Sequence, residues 1–231
     1  MLYKTKGIAI SYIRFRESSI IAKIYTESFG IQSYIVNSVR SSKAKGNKIA
    51  LFQPLTLLDL VVYHKAKLDT VHRISEMKCT VPFHSIPFDI AKSSIALFLT
   101  EILGKTLKEE EENTKLFDFL VQSILHFDEM EGEFENFHIQ FLIYYASYLG
   151  FGVESMSEME RELRQHHSPF GVDPQQDQVV DAILQNIGYG KVRLDRRSRA
   201  NLLEKLIFFY KIHNEGMGDL RSLDVLREVL R

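Results

Sequence analysis

The chain has 231 residues, 45% of them hydrophobic and 26% charged, which is enough to bury a sizeable core in one or two compact units. A single cysteine, Cys79, excludes an internal disulfide and any zinc site made only of cysteines. The formal net charge of −1 hides a bipolar chain: residues 1–80 hold 13 Lys and Arg against 5 Asp and Glu, residues 81–190 hold 6 against 19, and residues 191–231 hold 10 against 6, the pattern of a basic binding unit joined to an acidic one.

The opening MLYKTKGIAISYIRF lacks the apolar run of a signal peptide core, and no later stretch approaches a membrane span. A cytoplasmic protein is therefore expected. The first 80 residues read as β. Gly7 to Phe15 alternates, with Ile8, Ile10 and Tyr12 on one face and Ala9, Ser11 and Ile13 on the other. Ser19 to Thr26 is a second strand, and Glu27-Ser28-Phe29-Gly30 is a turn in which Gly30 is available for positive φ. Ile31 to Val36 is a third strand.

The next stretch, VNSVRSSKAKGNKIALFQP (Val36 to Pro54), carries Arg40, Lys43, Lys45 and Lys48, and no acidic residue falls between Tyr34 and Asp59. Its serines, Gly46 and Asn47 predict a loop. LTLLDLVVY after Pro54 reads as a strand buried on both faces, and Val71 to Lys78 as a fifth strand. Five short strands with a long loop between the third and fourth predict a small closed barrel of the OB-fold type.

Pro82 and Pro87 mark a change to helical spacing. Apolar positions predict helices over Phe88 to Leu107, from Leu116 to Phe127, and over the aromatic stretch Phe134 to Leu149, which Gly150 and Gly152 end. Glu154 to Gly171 is polar and weakly patterned. Asp173-Pro174-Gln175-Gln176 reads as an N-cap, a first-turn proline and a capping-box glutamine. Ser198 to Tyr210 is a further helix, and Leu223, Leu226 and Leu230 close the chain. The fold class is α+β: an OB-fold domain over residues 1–80 and an α-helical domain over 81–231.

No catalytic signature of the GxSxG, HExxH or GxxxxGK[ST] kind is present. His166 and His167 are adjacent and would point apart, so they chelate poorly. His64 and His72 flank the turn between the fourth and fifth strands, facing phosphate or solvent. Cys79 reads as a buried strand-end residue and Glu109 to Glu112 as a solvated helix end. The aromatics of the third helix read as core. In the barrel, Tyr12, Phe15, Tyr25 and Tyr34 lie among Arg14, Arg16 and Lys23, the interleaving that base stacking with phosphate neutralisation needs. Some of these aromatics must fill the barrel instead.

Three stretches resemble the RecO family of bacterial recombination mediators: GIAISYIRFRESSIIAKIYTESFG (Gly7 to Gly30, with Glu17, Thr26 and Gly30), LFQPLTLLDL (Leu51 to Leu60, with Gln53 and Pro54) and HNEGMGDLRSLDVLREVL (His213 to Leu230, with Leu220, Arg221 and Ser222). The resemblance implies a non-enzymatic protein that binds single- and double-stranded DNA and anneals complementary strands. It also implies action with RecR to load RecA onto strands coated by single-strand-binding protein. The acidic C-terminal tail of that coat protein would dock the helical domain, with basic residues near Arg221 as candidates. Many members carry a four-cysteine zinc site after the position of Gly150-Phe151. This chain lacks those cysteines, so the module is absent or replaced at 154–171, and neither metal nor cofactor is expected.

Arg14, Arg16, Arg40, Lys43, Lys45 and Lys48 are the expected phosphate track. Two other readings compete with it: an OB-fold RNA-binding or ribosome-associated factor, and a nuclease using Glu129, Glu131, Glu133 and Glu135.

Overall fold

A computed structural model of the chain describes residues 1–37, 39, 48–64, 71–186 and 188–230. Five strands open it: β1 (Leu2–Phe15), β2 (Ser19–Thr26), β3 (Gly30–Val36), β4 (Leu57–Tyr63) and β5 (His72–Cys79), with a 3-10 helix, Lys48–Phe52, before β4. They close into a barrel in the order β1-β2-β3-β5-β4, antiparallel except where β5 meets β3 through Tyr34 and Ile35. This closure is that of the OB-fold, as the strand count and loop position predicted.

Closure depends on β1, whose first half pairs with β4 and whose second half pairs with β2. Gly7 sits where the strand changes partners. A Cβ there would lie 2.7 Å from Ile24 Cγ2 and 2.9 Å from a Leu60 methyl, so the closely approaching walls admit no side chain. The interior is filled at period two by Ile20, Ala22 and Ile24 of β2, Tyr34 and Val36 of β3, and Leu58, Leu60 and Val62 of β4. Only this face of β4 is buried throughout: Asp59 and Val61 on the other are half-buried, contrary to the expectation of a strand buried on both faces. Cys79 closes β5 half-buried rather than buried.

Seven helices follow among the described residues: α1 (Ile90–Thr106), α2 (Thr114–Glu129), α3 (Phe137–Tyr148), α4 (Met156–Gln165), α5 (Pro174–Gln185), α6 (Arg196–His213) and α7 (Ser222–Val229). The chain divides into two compact units, Met1–Glu129 and Met130–Arg231, so α1 and α2 belong with the barrel. In the first unit Asp128 fastens the segment that enters α1, accepting from the backbone N–H groups of His84, Ser85 and Ile86 at 2.7–2.9 Å.

In the second unit α3 ends in a Schellman motif, with Gly150 at φ 85° and Phe151 N–H donating to Ala146 O at 3.1 Å. Phe137, Phe141 and Tyr145 are buried, as expected for core, but Tyr144 is half-buried and Tyr148 exposed. Residues 154–171, expected to be weakly patterned, contain α4. Ser155 caps it by accepting from Glu158 N–H, and Met156, Met159 and Leu163 turn inward at helical spacing. Asp173 caps α5 as predicted. Gln176 is not a capping-box partner, for its amide is buried and donates to Asn201 Oδ1 at 3.0 Å.

Candidate nucleic-acid interface

β1 contains a bulge at Ile10: Ala9 opposes Ile24, but Ser11 opposes Lys23, so one residue is left over. The bulge reverses the expected facing of the strand's second half. Tyr12 opposes Ala22 and Arg14 opposes Ile20, both core residues of β2, so Tyr12 and Arg14 share the barrel's inner face with Ala9. They lie past the filled interior, where that face opens at one mouth of the barrel. Tyr12 is 41% exposed, with its ring edge-on to buried Phe52 at 6.4 Å. Arg14 is exposed one step further out.

The turn after β1 holds Arg16 in the left-handed region at φ 52°, its guanidinium 5.1 Å from the centre of the Phe15 ring. Ser18 O in the same turn accepts from Val39 N–H at 2.9 Å, and the Val39 side chain is buried in the barrel core. Lys48 begins the 3-10 helix that packs on β1 and is exposed, while Ile49, Leu51 and Phe52 anchor that helix to the same core. Arg14, Arg16 and Lys48 therefore belong to one mouth of the barrel, where Glu17 of the same turn is the acid beside them. Arg40, Lys43 and Lys45 lie outside the described residues. The segment that contains them leaves from Val39 and returns at Lys48, both anchored at this mouth.

The remaining aromatic and basic candidates are committed elsewhere. Tyr34 is in the interior, and burial raises its phenol pKa. Tyr25 is 2% exposed with its ring 6.1 Å from Phe117 of α2, and burial together with Glu109 pushes its phenol up to about 12. Lys23, its ammonium pKa lowered by burial, donates to Gly104 O of α1 at 3.0 Å. Lys23 and Tyr25 on the outer face of β2 are thus packed on α1 and α2, and of the four aromatics only Tyr12 and Phe15 stand at the cationic mouth.

Among the described residues the opposite mouth is acidic on balance, with Lys108 beside its glutamates. It carries Glu27 and the exposed run Glu109 to Glu112, whose backbone docks on the β2–β3 turn through Ile31 N–H donating to Glu109 O at 3.0 Å. The histidines are here too, but in neither expected role. His64 stacks on Phe29 at 4.0 Å and on His72 at 4.5 Å, and His72 is 6% exposed. Burial lowers the pKa of both, which keeps them neutral near pH 7. A cleft of about 670 Å³ on β1, β4 and β5 sets Lys4, Lys6 and Lys78 against Glu27, Asp59 and Glu76. Its charges balance, with Lys78 and Asp59 paired at 3.3 Å, which does not suit a polyanion.

Among the described residues no cluster of three or more His, Cys, Asp or Glu side chains is placed to hold a metal ion. The donor set also does not fit the zinc module of the resemblance, because α4 occupies residues 156–165 and the chain's one cysteine is on β5. No helix among the described residues is long and apolar enough to cross a membrane.

A closed OB barrel with one cationic mouth, followed by a helical unit, defines a class of fold that serves oligonucleotide binding in many proteins. Residues 1–80 match the family model Recombination protein O N terminal, and residues 87–182 match Recombination protein O C terminal. The chain belongs to the Recombination protein O family. It is 37% identical to the DNA repair protein RecO of Flavobacterium psychrophilum, 35% to that of Flavobacterium johnsoniae and 33% to that of Phocaeicola vulgatus, each over 99% of both chains.

Proposed function

We propose that the protein is a non-enzymatic DNA-binding mediator of recombination and repair, which holds single- and double-stranded DNA at the cationic mouth of its barrel and anneals complementary strands. Family membership supports the repair role. The observation that carries the binding reading is the charge polarity of the barrel, with Arg14, Arg16 and Lys48 at one mouth and Glu27 with Glu109 to Glu112 at the other. Lys and Arg contacts to phosphate neutralise a strand without reading its sequence, so binding is sequence-independent and weakened by salt. Arg40, Lys43 and Lys45 would extend the same track. Tyr12 supplies an exposed ring beside it on which a base can stack.

Annealing follows when two strands are held with their mutual repulsion neutralised, and no bond is made or broken. In this reading the protein acts with RecR and with the acidic C-terminal tail of single-strand-binding protein, so that RecA is loaded on the strand it clears. Fluorescence anisotropy of labelled oligo-dT across a salt series tests the binding step. Each phosphate neutralised on a single strand adds about 0.7 to the magnitude of the log–log salt slope. Replacing Arg14, Arg16 and Lys48 together by Ala should lower the slope by about 2. An unchanged slope and affinity in that variant removes the mouth as the site. RNA held much more tightly than DNA of equal sequence would turn the reading towards an RNA-binding factor.

A further inference from the structure

The segment GYGKVRLDRRSR (Gly188 to Arg199) places Lys191, Arg193, Arg196, Arg197 and Arg199 within nine residues, with Asp195 the one acid among them. It follows residue 182, where the family match ends, and lies in the unit whose preceding stretch is strongly acidic. From Gly188 to Asp195 the backbone is neither helix nor strand, yet three polar side chains four residues apart fasten it. Asn136 Nδ2 donates to Val192 O at 2.7 Å. Gln140 Nε2 donates to Gly190 O at 3.1 Å while its Oε1 accepts from Gly190 N–H at 3.0 Å. The Tyr144 hydroxyl lies 2.8 Å from Gly188 O, within reach to donate to it. The Tyr189 ring stacks on Phe137 at 4.6 Å, and Asp195 caps α6 by accepting from Ser198 N–H at 3.0 Å.

The cations of this fixed segment are not all consumed by the fold. Lys191 pairs with Glu133 at 2.9 Å, and Arg199 donates to Asn136 Oδ1 and Leu230 O, each at 3.4 Å. Arg193, Arg196 and Arg197 are exposed and make no ion pair among the described residues. The cleft of about 400 Å³ beside Arg193 balances Lys191, Arg193 and Arg199 against Glu133, Glu135 and Asp195, so a polyanion would meet the exposed guanidiniums rather than that cleft; Arg197 borders another of about 450 Å³ with Asp173, Gln176 and Asn201.

We infer that Arg193, Arg196 and Arg197 form a second nucleic-acid contact on the helical unit, which grips the phosphate backbone of a strand. Three guanidiniums spread across the start of α6 do not converge on one phosphate but can follow a row of them, each presenting a fork that matches phosphate. An acidic peptide with an apolar anchor fits less well, because Leu194 is turned inward and Val172 is the one strongly exposed large apolar side chain along either cleft among the described residues. The inference rests on the reading that the chain binds DNA. With one contact on each unit, a single molecule holds two strands, which is what annealing requires.

The test counts strands. A short labelled oligo-dT is titrated at low salt against wild type, the Arg193→Gln/Arg196→Gln/Arg197→Gln variant, and the Arg14→Ala/Arg16→Ala/Lys48→Ala variant, each confirmed folded by circular dichroism. Wild type should bind two strands per chain and each variant one. The glutamine variant should retain most of its affinity for a single strand yet anneal complementary strands at least tenfold more slowly. Arg193→Lys/Arg196→Lys/Arg197→Lys, which keeps the charge, should restore the stoichiometry. If the glutamine variant binds and anneals like wild type while the barrel variant fails, the second contact is overturned and the barrel reading stands. If wild type binds no strand, both fall. If the glutamine variant loses binding only of a ten-residue poly-Glu probe, the surface serves an acidic peptide and the inference is wrong.

Discussion

Gly30 is the residue on which the acidic mouth of the barrel is assembled, and Gly30→Ala should damage it out of proportion to one methyl group. Its φ is 60°, and a Cβ built on it would lie 2.2 Å from Glu109 O, 2.6 Å from Glu111 O and 2.9 Å from Glu111 N. All three are backbone atoms, so no rotamer change relieves the clash and the connection between α1 and α2 must move. Holding an alanine in the left-handed region costs about 1–2 kcal/mol. Displacing the connection also breaks the 3.0 Å bond from Ile31 N–H to Glu109 O. A bond of that kind is worth about 1 kcal/mol net, and more if the donor stays buried and unpaired. The sum is about 3 kcal/mol, a large part of the stability of an ordinary domain. Guanidinium unfolding should register it, and amide exchange at Ile31 should quicken in step. Gly132→Ala, whose Cβ would meet nothing within 4 Å, serves as the control and should change stability by less than about 0.5 kcal/mol. A Gly30→Ala protein within about 0.5 kcal/mol of wild type would refute the claim that this backbone contact positions the acidic segment.

Two predictions concern the helical unit. His138 is fully buried, and burial, aided by the Arg199 charge, pulls its imidazole pKa from 6.5 down to about 3. The folded state therefore keeps it neutral, so its contribution is complete above pH 6.5 and is lost progressively as pH falls towards 3, where unfolded chains take up a proton that folded ones do not. Between pH 7 and pH 5.5 wild type should lose about 1.2 kcal/mol more than His138→Leu in denaturant unfolding, and equal losses would contradict the buried neutral histidine. Lys205, 1% exposed, pairs with Glu160 at 3.3 Å and donates to Gly171 O at 3.1 Å, joining α6 to α4. Lys205→Met leaves the Glu160 carboxylate only its 3.5 Å pair with Arg164 and should cost about 3 kcal/mol, and Lys205→Met/Glu160→Leu should recover much of it in a thermal melt.

Much of the barrel was legible because its signals are local. Alternation located the first strand, though from Gly7 rather than Leu2, β-branched and apolar runs between turn residues located the other four, and the turn chemistry at Gly30 gave the positive φ that the structure has. The bulge at Ile10 was not legible, since a run of GIAISYIRF alternates whether or not one residue is left unpaired, and the register is set by β2 across the sheet. That single residue decides which way Tyr12 and Arg14 point. The helix α4 was missed although Ser155 and Glu158 stand at capping-box spacing, because its inward residues are two methionines and one leucine among charges. The cations at 191–199 were counted in the charge balance but carried no local sign of being held, for the residues that fasten them, Asn136, Gln140 and Tyr144, precede them by about fifty positions.

The coverage of the barrel bears on how a strand must lie. OB-folds commonly present strands 2 and 3 to their ligands. Here that face is occupied by the protein itself, through Lys23 on Gly104, Tyr25 against Phe117 and Ile31 on Glu109. A nucleic acid following the common path would meet α1 and α2 over β2 and their connection at the start of β3, all part of the same compact unit. The bulge offers the alternative by turning Tyr12 and Arg14 to the inner face at the open mouth, where Arg16 and the two anchored ends of the basic segment also stand. The same sequence that packs helices on the outer face of β2 thus places Tyr12, Arg14, Arg16 and Lys48 together at the end of the barrel away from the acidic connection.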